Sequence, residues 1–283
     1  MIPFLRYRAF AYVFSLLLIL LSSLSLYLKG LNLGLDFTGG TVLELRFQNQ
    51  VELSRVRKAL TDGGVSGFQL QESEGSIILI KLSLDQDPER VRSIISKLGN
   101  FELLRFETIG PVVTSELRKK ATFAVIFALL GILIYLAYRY EPIWALSAIL
   151  ALLHDVLIVL GAYSLSFREI NLDVIAALLI VAGYSVTDTV VIFDRIRENL
   201  RIRKATSLEN LVDISVNQTL SRTIMTSVTT FVVSLSLFIF GGPALSNIMF
   251  AFVVGVIVGT FSSVFVAGAL LSDIRSKLLP ARV

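Results

Sequence analysis

The 283-residue sequence contains no cysteine and only one histidine, His154. Without cysteine the chain forms no disulfide, offers no thiolate nucleophile and cannot ligate a metal through sulfur. A single histidine cannot build a histidine-rich metal site. Charge is also scarce, since charged residues make up 17% of the sequence against 54% hydrophobic residues, and the mean hydropathy is +0.76. This composition excludes an ordinary soluble domain and indicates a membrane protein.

The sequence signatures of several enzyme classes are missing as well. The segment "DFTGG" at residues 36–40 is not followed by the Lys-Ser or Lys-Thr of a phosphate-binding loop, and no HExxH zinc motif occurs. The segment "GYSVTD" at residues 183–188 does not match the GxGD motif of intramembrane aspartyl proteases. We therefore predict a protein that is not an enzyme and carries neither cofactor nor metal. Any work that it does must draw on an ion gradient or a partner.

Six apolar runs are long enough to cross a hydrocarbon core of ~30 Å, which takes about 20 helical residues. They cover residues 9–28, 121–138, 143–165, 172–193, 223–240 and 245–271. The first run is longer than the core of a signal peptide and lacks a clear cleavage site, so we interpret it as a retained membrane helix. We divide the chain into residues 1–29 with the first span, a separate domain at 30–118, and spans two to six within 119–283.

The distribution of basic residues predicts the orientation, because Lys and Arg in short loops stay on the cytoplasmic side. With the N-terminus inside, the following basic residues also lie inside: Arg6, Arg8, Arg139, Arg195, Arg197, Arg201, Arg203, Lys204, Arg275, Lys277 and Arg282. The short outer loops hold only Arg168, while Lys119 and Lys120 border a long domain, which translocates largely regardless of charge. We predict two cytoplasmic termini. The net charge of +4 then needs no nucleic acid to explain it, and the basic residues beside the membrane favour anionic lipid.

Strand and helix patterns follow a fixed order in the predicted extracytoplasmic domain. In chain order they are a strand at 41–47, a helix at 52–62, strands at 67–73 and 76–82, a helix at 87–99 and a strand at 101–108. The two middle strands flank a polar Glu74-Gly75 turn, and Asp87 is placed to cap the second helix. This order predicts a small α+β ferredoxin-like domain. It could bind an extended chain at a sheet edge, or it could be a passive cap on the membrane part.

The fourth span contains a carboxylate, Asp188, about five residues or ~7 Å short of its inner end. A carboxylate in lipid costs several kcal/mol unless it is protonated, paired or hydrated. Tyr184 and Ser185 lie one helical turn before it, and Thr187 and Thr189 flank it, so the sequence predicts a polar patch around the acid. Asp188 is therefore a functional candidate.

Two further charged sites lie in neighbouring spans. Arg222 begins the fifth span, and Thr226, Thr229 and Thr230 continue a polar stripe that would be wasted against lipid. Its depth is compatible with a contact to Asp188.

In the third span, His154 and Asp155 lie near the middle of the membrane, where ionisable groups are functional candidates. We expect these two adjacent side chains to point in different directions. They belong either to a proton path or to hydrogen bonds that join the helices.

Other features favour structural roles. Gly255 and Gly259 form a GxxxG pair that Ser263 extends, which predicts close helix packing. We predict a cytoplasmic amphipathic segment at 195–222. The stretch at 206–223 predicts a short helix on the membrane surface, with Ser207 as its cap.

Several stretches occur together in a characteristic order. They are "LGLDFTGGTVLEL" (33–45), "IGPVVTSELRKKA" (109–121), the His-Asp pair of the third span, and "GYSVTDTVVIFDRIREN" (183–199). Together they resemble the bacterial SecD/SecF family of protein-export membrane proteins, relatives of the RND transporter superfamily. The "DRIREN" segment and the small outer domain favour the SecF branch. The resemblance extends over essentially the whole chain.

The resemblance implies a bacterial cytoplasmic-membrane protein that acts with SecD and the SecYEG channel, using proton flow to help move a preprotein outward. The proton-linked residues would be Asp188 and Arg222, with Asp155 as a weaker candidate; His154 is a candidate from its position in the membrane alone. The family's hallmark turn would be Asp36, Gly39 and Gly40. For these three the alternative role is backbone geometry alone.

The single six-helix set also predicts a partner. Transporters place their site between two related helical sets, and one set with no internal repeat is half of such a bundle. SecD would supply the second half, although a homodimer would satisfy the same geometry. Three hypotheses remain: a proton-driven subunit of protein export, a proton-coupled RND-type exporter of lipids or small hydrophobic molecules, and a membrane scaffold that transduces no energy.

Overall fold

The computed structural model describes residues 1–73, 76–202 and 207–278. The predicted Glu74-Gly75 turn and the basic residues Arg203, Lys204 and Arg282 lie outside these residues. The chain divides into two compact units, of which one comprises Leu33–Thr122 and the other Met1–Asn32 with the chain from Phe123 onward.

The larger unit is helical and contains the six predicted spans. After a 3-10 turn at Phe4–Tyr7, the helices are α1 (Arg8–Lys29), α5 (Pro111–Arg139), α6 (Pro142–Ser166), α7 (Leu172–Ile202), α8 (Leu208–Phe240), α9 (Gly242–Phe261) and α10 (Gly268–Leu278). A π-helical turn, Ser262–Ala267, joins α9 to α10 without a break. Six helical stretches in the described residues are long and apolar enough to cross a membrane, which confirms the prediction of a polytopic membrane protein.

The smaller unit has the predicted ferredoxin-like order. Its elements are α2 (Leu35–Thr38), β2 (Gly40–Phe47), α3 (Leu53–Asp62), β3 (Phe68–Ser73), β4 (Ile77–Leu82), α4 (Pro88–Ile95) and β5 (Phe101–Ile109), while two-residue strands β1 (Asn32–Leu33) and β6 (Glu169–Ile170) lie outside this sheet. The sheet order is β3-β4-β2-β5, and each neighbouring pair is antiparallel. The two central strands, β2 and β4, come from different halves of the β-α-β-β-α-β order, as a split βαβ fold requires.

The core of this unit follows from sequence periodicity. Strand β4 alternates half-buried and buried residues, with Ile78 and Ile80 on the buried face. Helices cover that face with residues four apart, such as Val56 and Leu60 of α3. Asp87 caps α4 as predicted, because its carboxylate accepts a hydrogen bond from the Glu89 amide at 3.0 Å.

The predicted surface helix at residues 206–223 is not a separate element. Ser207 does cap a helix, since its hydroxyl accepts from the Asn210 amide at 3.4 Å, but that helix runs without interruption to Phe240. The reason is that no glycine or proline occurs between 208 and 240 to break it. Val212 and Val216 on its first turns are buried in the main core of the helical unit.

Small residues bring the helices of the larger unit close together. A Cβ atom added at Gly255 of α9 would meet Val181 Cγ1 of α7 at 2.2 Å, and one at Gly259 would meet Ser185 Cβ at 3.1 Å. The predicted packing role of the GxxxG pair is thus confirmed. Between α1 and α6, Ser22 lies against Gly161 in the same way. These contacts hold α6, α7 and α9 at distances where short polar side chains reach one another.

Candidate site in the helical bundle

Asp155 is the centre of a buried hydrogen-bond cluster. Its side chain is on α6 and is 1% exposed. One carboxylate oxygen, Oδ2, accepts from the Ser185 hydroxyl of α7 at 2.5 Å and from the Ser262 hydroxyl of the π turn at 2.7 Å. The other oxygen, Oδ1, lies 2.8 Å from His154 Nδ1. Three donors on three helical elements therefore converge on one carboxylate.

His154 binds Asp155 directly, so the expectation that these adjacent side chains point apart is wrong. When Asp155 is ionised its carboxylate can only accept hydrogen bonds, and Nδ1–H of the ring is then the donor in this contact. The second ring nitrogen, Nε2, is buried and has no hydrogen-bond partner within the described part of the chain. His154 thus has one satisfied and one open position.

A second line of polar contacts runs beside Asp155 between α7 and the π turn. The Thr189 and Ser263 hydroxyls lie 2.9 Å apart, and the Ser263 hydroxyl donates to the Ser185 carbonyl at 3.3 Å. A π turn widens the helix and shifts its side chains, and such turns are frequent at functional sites. Here Ser262 contacts Asp155 of α6, and Ser263 contacts Thr189 and Ser185 of α7.

Asp188 lies one turn beyond Ser185 on the same face of α7. It is 5% exposed, and its Oδ2 atom is buried with no hydrogen-bond partner in the residues that the structure covers. The predicted polar patch around Asp188 forms only in part. Thr187 is exposed, and its hydroxyl donates to the Gly183 carbonyl of the same helix at 2.9 Å. Asp188 is a buried carboxylate with an oxygen left open.

The predicted contact between Asp188 and Arg222 is not formed. Neither a hydrogen bond nor an ion pair joins these two side chains among residues 1–73, 76–202 and 207–278, although Arg222 is the basic group whose charge acts on Asp188. Arg222 is exposed at the surface of α8. The two groups are close enough to interact through space and are not bonded.

The threonine stripe that follows Arg222 makes no hydrogen bond to another helix within the described part of the chain. Thr226 and Thr229 are exposed, and each hydroxyl donates to a carbonyl one turn earlier on α8, at 3.1 Å and 2.8 Å. Only the opposite side of α8 is tied to the bundle, where the Ser227 hydroxyl lies 3.2 Å from the Tyr184 hydroxyl and 2.7 Å from the Thr260 hydroxyl. The polar stripe of α8 therefore faces outward.

The Gly-Gly turn in the smaller unit has the geometry that only glycine permits. Gly39 and Gly40 have φ values of +68° and +123°. A Cβ atom at Gly40 would lie 2.3 Å from the Leu82 carbonyl oxygen of β4, and one at Gly39 would lie 3.0 Å from Thr114 Oγ1. Asp36 is half-buried in the first turn of α2. The predicted role of the two glycines in backbone geometry is confirmed.

Sequence reasoning placed the charged residues in the correct spans and missed several of their partners. The neighbouring serines at 262 and 263 were visible as polar residues in an apolar run, but the sequence did not indicate the π turn from which they reach Asp155 of α6 and Thr189 of α7. Ser185 and Thr189 were expected beside Asp188, whereas the structure joins them to Asp155 and Ser263. The bonded centre of the cluster is Asp155, the weaker candidate.

These observations define a class of protein: a multi-pass membrane protein with six spanning helices, a ferredoxin-like domain between the first two, and buried carboxylates in two neighbouring helices. The model of the family "Protein export membrane protein SecD/SecF, C-terminal" matches residues 90–277, and that of the "SecD/SecF GG Motif" matches residues 24–51. The chain belongs to the SecD/SecF family of protein-export membrane proteins, and it is an auxiliary subunit of the Sec protein translocase.

Curated relatives agree over nearly the full length. The "Protein translocase subunit SecF" of Calditerrivibrio nitroreducens is 41% identical, covering 97% of this chain and 94% of the relative. The subunit of the same name from Pseudomonas aeruginosa is 41% identical, covering 95% of this chain and 90% of the relative. Both place the chain with SecF, as the sequence motifs indicate.

A solved structure shows the same fold. The crystal structure of SecDF from Thermus thermophilus, titled a translocon-associated membrane protein, matches with a TM-score of 0.89 and 37% identity over 97% of this chain. The match spans 39% of that chain. A second structure of SecDF, titled as a super-membrane-facing form, matches with a TM-score of 0.71 at the same identity.

Proposed function

We propose that this chain acts with SecD to use the proton-motive force in preprotein export through the SecYEG channel. In this proposal both termini are cytoplasmic, the ferredoxin-like unit is extracytoplasmic, and a proton binds to and leaves Asp188 in each cycle. Arg222 supplies the compensating charge. His154 and Asp155 form an adjoining hydrogen-bond network that holds α7 against α6.

The observation that carries the proposal is the open carboxylate oxygen of Asp188. A buried acid that only stabilises the fold is expected to have its hydrogen bonds satisfied, because an unmet one costs about 1–3 kcal/mol. Asp155 meets that expectation and Asp188 does not. A group that gains and loses a proton needs an atom that is open to it, and Asp188 Oδ2 is such an atom.

The electrostatics of α7 and α8 support a switch. With Asp188 ionised, Arg222 is attracted to it through a medium of low dielectric constant. Protonation removes that attraction, so the preferred packing of α8 against α7 changes. One elementary charge crossing 100 mV is worth about 2.3 kcal/mol, which biases a two-state equilibrium about 50-fold. A small number of protons per cycle would suffice.

The outward-facing polar stripe of α8 supports a partner in the membrane. Arg222, Thr226 and Thr229 would face lipid in a lone chain, where an arginine is costly. The second helical set of SecD would cover them, and the SecDF chain whose fold matches contains more than twice the length of this one. A homodimer remains the alternative, and cross-linking in native membranes from cysteines placed at Thr226 and Thr229 would identify the occupant.

The test is export of a reporter preprotein into membrane vesicles that contain the Asp188→Asn variant. We expect export without a proton gradient to equal that of the parent and the additional export driven by the gradient to be lost. Asp173→Asn, an exposed acid in the first turn of the same helix, is the matched control and should leave the gradient response intact. An Asp188→Asn protein that assembles and responds like the parent would support the scaffold hypothesis instead.

A further inference from the structure

A polar cavity of about 420 Å³ lies at the end of the bundle where α6 begins and α7 ends, here called the basic cavity. Its lining residues are Tyr140, Glu141, Trp144, Arg197, Leu200, Arg201 and Arg275. Three of them are arginines and one is an acid, so the lining carries an excess of two positive charges. These charged residues lie on α7, on α10 and at the start of α6. The cavity therefore depends on how three helices pack and is not visible as an amphipathic pattern in one of them.

The arginines of this region divide into paired and unpaired groups. Arg139 donates to both oxygens of Asp194 at 2.9 Å, and Arg195 donates to Glu198 at 2.5 Å. These two are neutralised.

The three arginines of the basic cavity have no carboxylate partner among the described residues. Their guanidinium groups make one weak hydrogen bond within the described chain, from Arg197 to the Arg139 carbonyl at 3.5 Å. Preference for the cytoplasmic side explains why basic residues occur at this end. It does not explain why Arg139 and Arg195 have carboxylate partners while the three arginines that line the basic cavity have none in the described chain.

The depth of the basic cavity matches the layer of lipid headgroups. The apolar part of α7 ends near Phe193. Arg197 and Arg201 come four and eight residues later, which is about 6 Å and 12 Å further along the helix. Long side chains on a helix point back towards its N-terminus. Both guanidinium groups are therefore directed back towards the membrane, and the headgroup layer is about 5–8 Å thick on each side.

The remaining walls suit an anion as well. Helix α6 begins at Pro142, and Glu141 at its N-cap position makes no side-chain hydrogen bond to the first turn, which leaves amide groups available at the positive end of the helix dipole. Trp144 and Tyr140 stack with ring centroids 6.1 Å apart and form an apolar side. Such a site offers charge, donors and a surface for an attached apolar group.

We propose that the basic cavity binds a phosphate group through Arg197, Arg201 and Arg275. Guanidinium groups recognise phosphate through paired hydrogen bonds, and three of them around one cavity fit a phosphate better than a single carboxylate. The phosphate belongs either to the headgroup of an anionic phospholipid or to a soluble phosphate. Phosphate binding here does not depend on proton transfer at Asp188, so one of the two proposals can fail while the other holds.

Trp144 is the only tryptophan of the chain and lines the basic cavity, so its fluorescence reports binding. The full chain in a neutral detergent would be titrated separately with phosphatidylglycerol, phosphatidylcholine and inorganic phosphate. We expect a saturable change in Trp144 emission with phosphatidylglycerol. Binding of phosphatidylcholine should be at least tenfold weaker. Saturation by inorganic phosphate alone would assign the site to a soluble phosphate and still support the proposal.

The decisive comparison uses two double variants with equal charge change at the same end of the bundle. Arg197→Gln with Arg201→Gln removes two arginines of the basic cavity and should weaken binding at least tenfold. Arg6→Gln with Lys277→Gln removes two exposed basic residues outside it and should change binding less than twofold. Equal weakening in both variants, or no saturable response to either phosphate source, would overturn the proposal.

Discussion

Two buried aspartates in this bundle, on neighbouring helices, have opposite surroundings. Asp155 on α6 accepts hydrogen bonds from His154, Ser185 and Ser262, so both of its oxygens are satisfied. Asp188 on α7 has an oxygen with no partner in the described chain and a cation, Arg222, that acts on it without bonding. Burial alone does not distinguish the two residues, because both are less than a tenth exposed. The number of hydrogen bonds to each carboxylate distinguishes them.

This difference separates two uses of a carboxylate in a membrane. A fully bonded acid ties three helical elements together, and changing its charge would disrupt all its contacts at once. An acid with an open oxygen and a counter-charge that is not bonded to it can gain or lose a proton without breaking a hydrogen bond. The comparison therefore predicts that Asp155 matters most for stability and Asp188 most for energy conversion.

The largest expected effect on stability is that of Asp155→Asn. The amide accepts through one oxygen where the carboxylate accepts through two, so at least one of three buried donors loses its partner. We expect the free energy of unfolding to fall by about 1–3 kcal/mol. It would be measured for the purified protein by titration with dodecyl sulfate in mixed micelles. A loss below 0.5 kcal/mol, roughly the scale of an average interhelical hydrogen bond in membranes, would contradict the assigned role.

A smaller effect is expected where the glycines hold α9 against α7. Gly255→Ala places a methyl group against Val181, a stiff side chain, and should lower the free energy of unfolding by about 1–2 kcal/mol. Because the same contact holds the π turn against α7, the Asp155 cluster should loosen with it. Gly183→Ala on α7 is the matched control, since a Cβ atom there meets nothing within 4 Å. Equal losses in the two variants would attribute the effect to glycine replacement in general.

The smallest effect on stability is expected for Asp188→Asn. The substitution removes a buried charge that has no hydrogen bond at Oδ2, so the free energy of unfolding should stay within about 0.5 kcal/mol of the parent or rise. The same dodecyl sulfate titration gives the value. A loss as large as that of Asp155→Asn would remove the contrast between the two acids and show that Asp188 also holds the helices together.

Sequence patterns were enough to predict the ferredoxin-like sheet and the six helices, because each depends on local periodicity. The alternation in residues 76–82 and the spacing of Val56 and Leu60 determine which faces are buried. The charged residues in the spans were equally visible, since Asp155 and Asp188 interrupt apolar runs.

What the sequence could not supply was the geometry between helices. The π turn that directs Ser262 towards Asp155 results from packing of α9 against α6 and α7, and no local pattern encodes it. We considered a contact between Asp188 and Arg222 because the two residues lie at a similar depth in the membrane. In the structure Arg222 is exposed on the outer side of α8 and does not bond to Asp188. The prediction of a separate surface helix before the fifth span was also wrong. No glycine or proline breaks α8, and Val212 and Val216 near its start are buried in the core of the bundle.

The most direct test of the account is infrared difference spectroscopy of the reconstituted protein between neutral and acidic pH. A carboxylic acid shows a C=O stretching band that the carboxylate lacks, so the band counts groups that take up a proton. Exposed carboxylates also take up protons on acidification, so we predict that one component of this band is lost in Asp188→Asn and kept in Asp155→Asn. A difference spectrum that is unchanged in Asp188→Asn would show that this acid does not exchange a proton, and the account would be wrong.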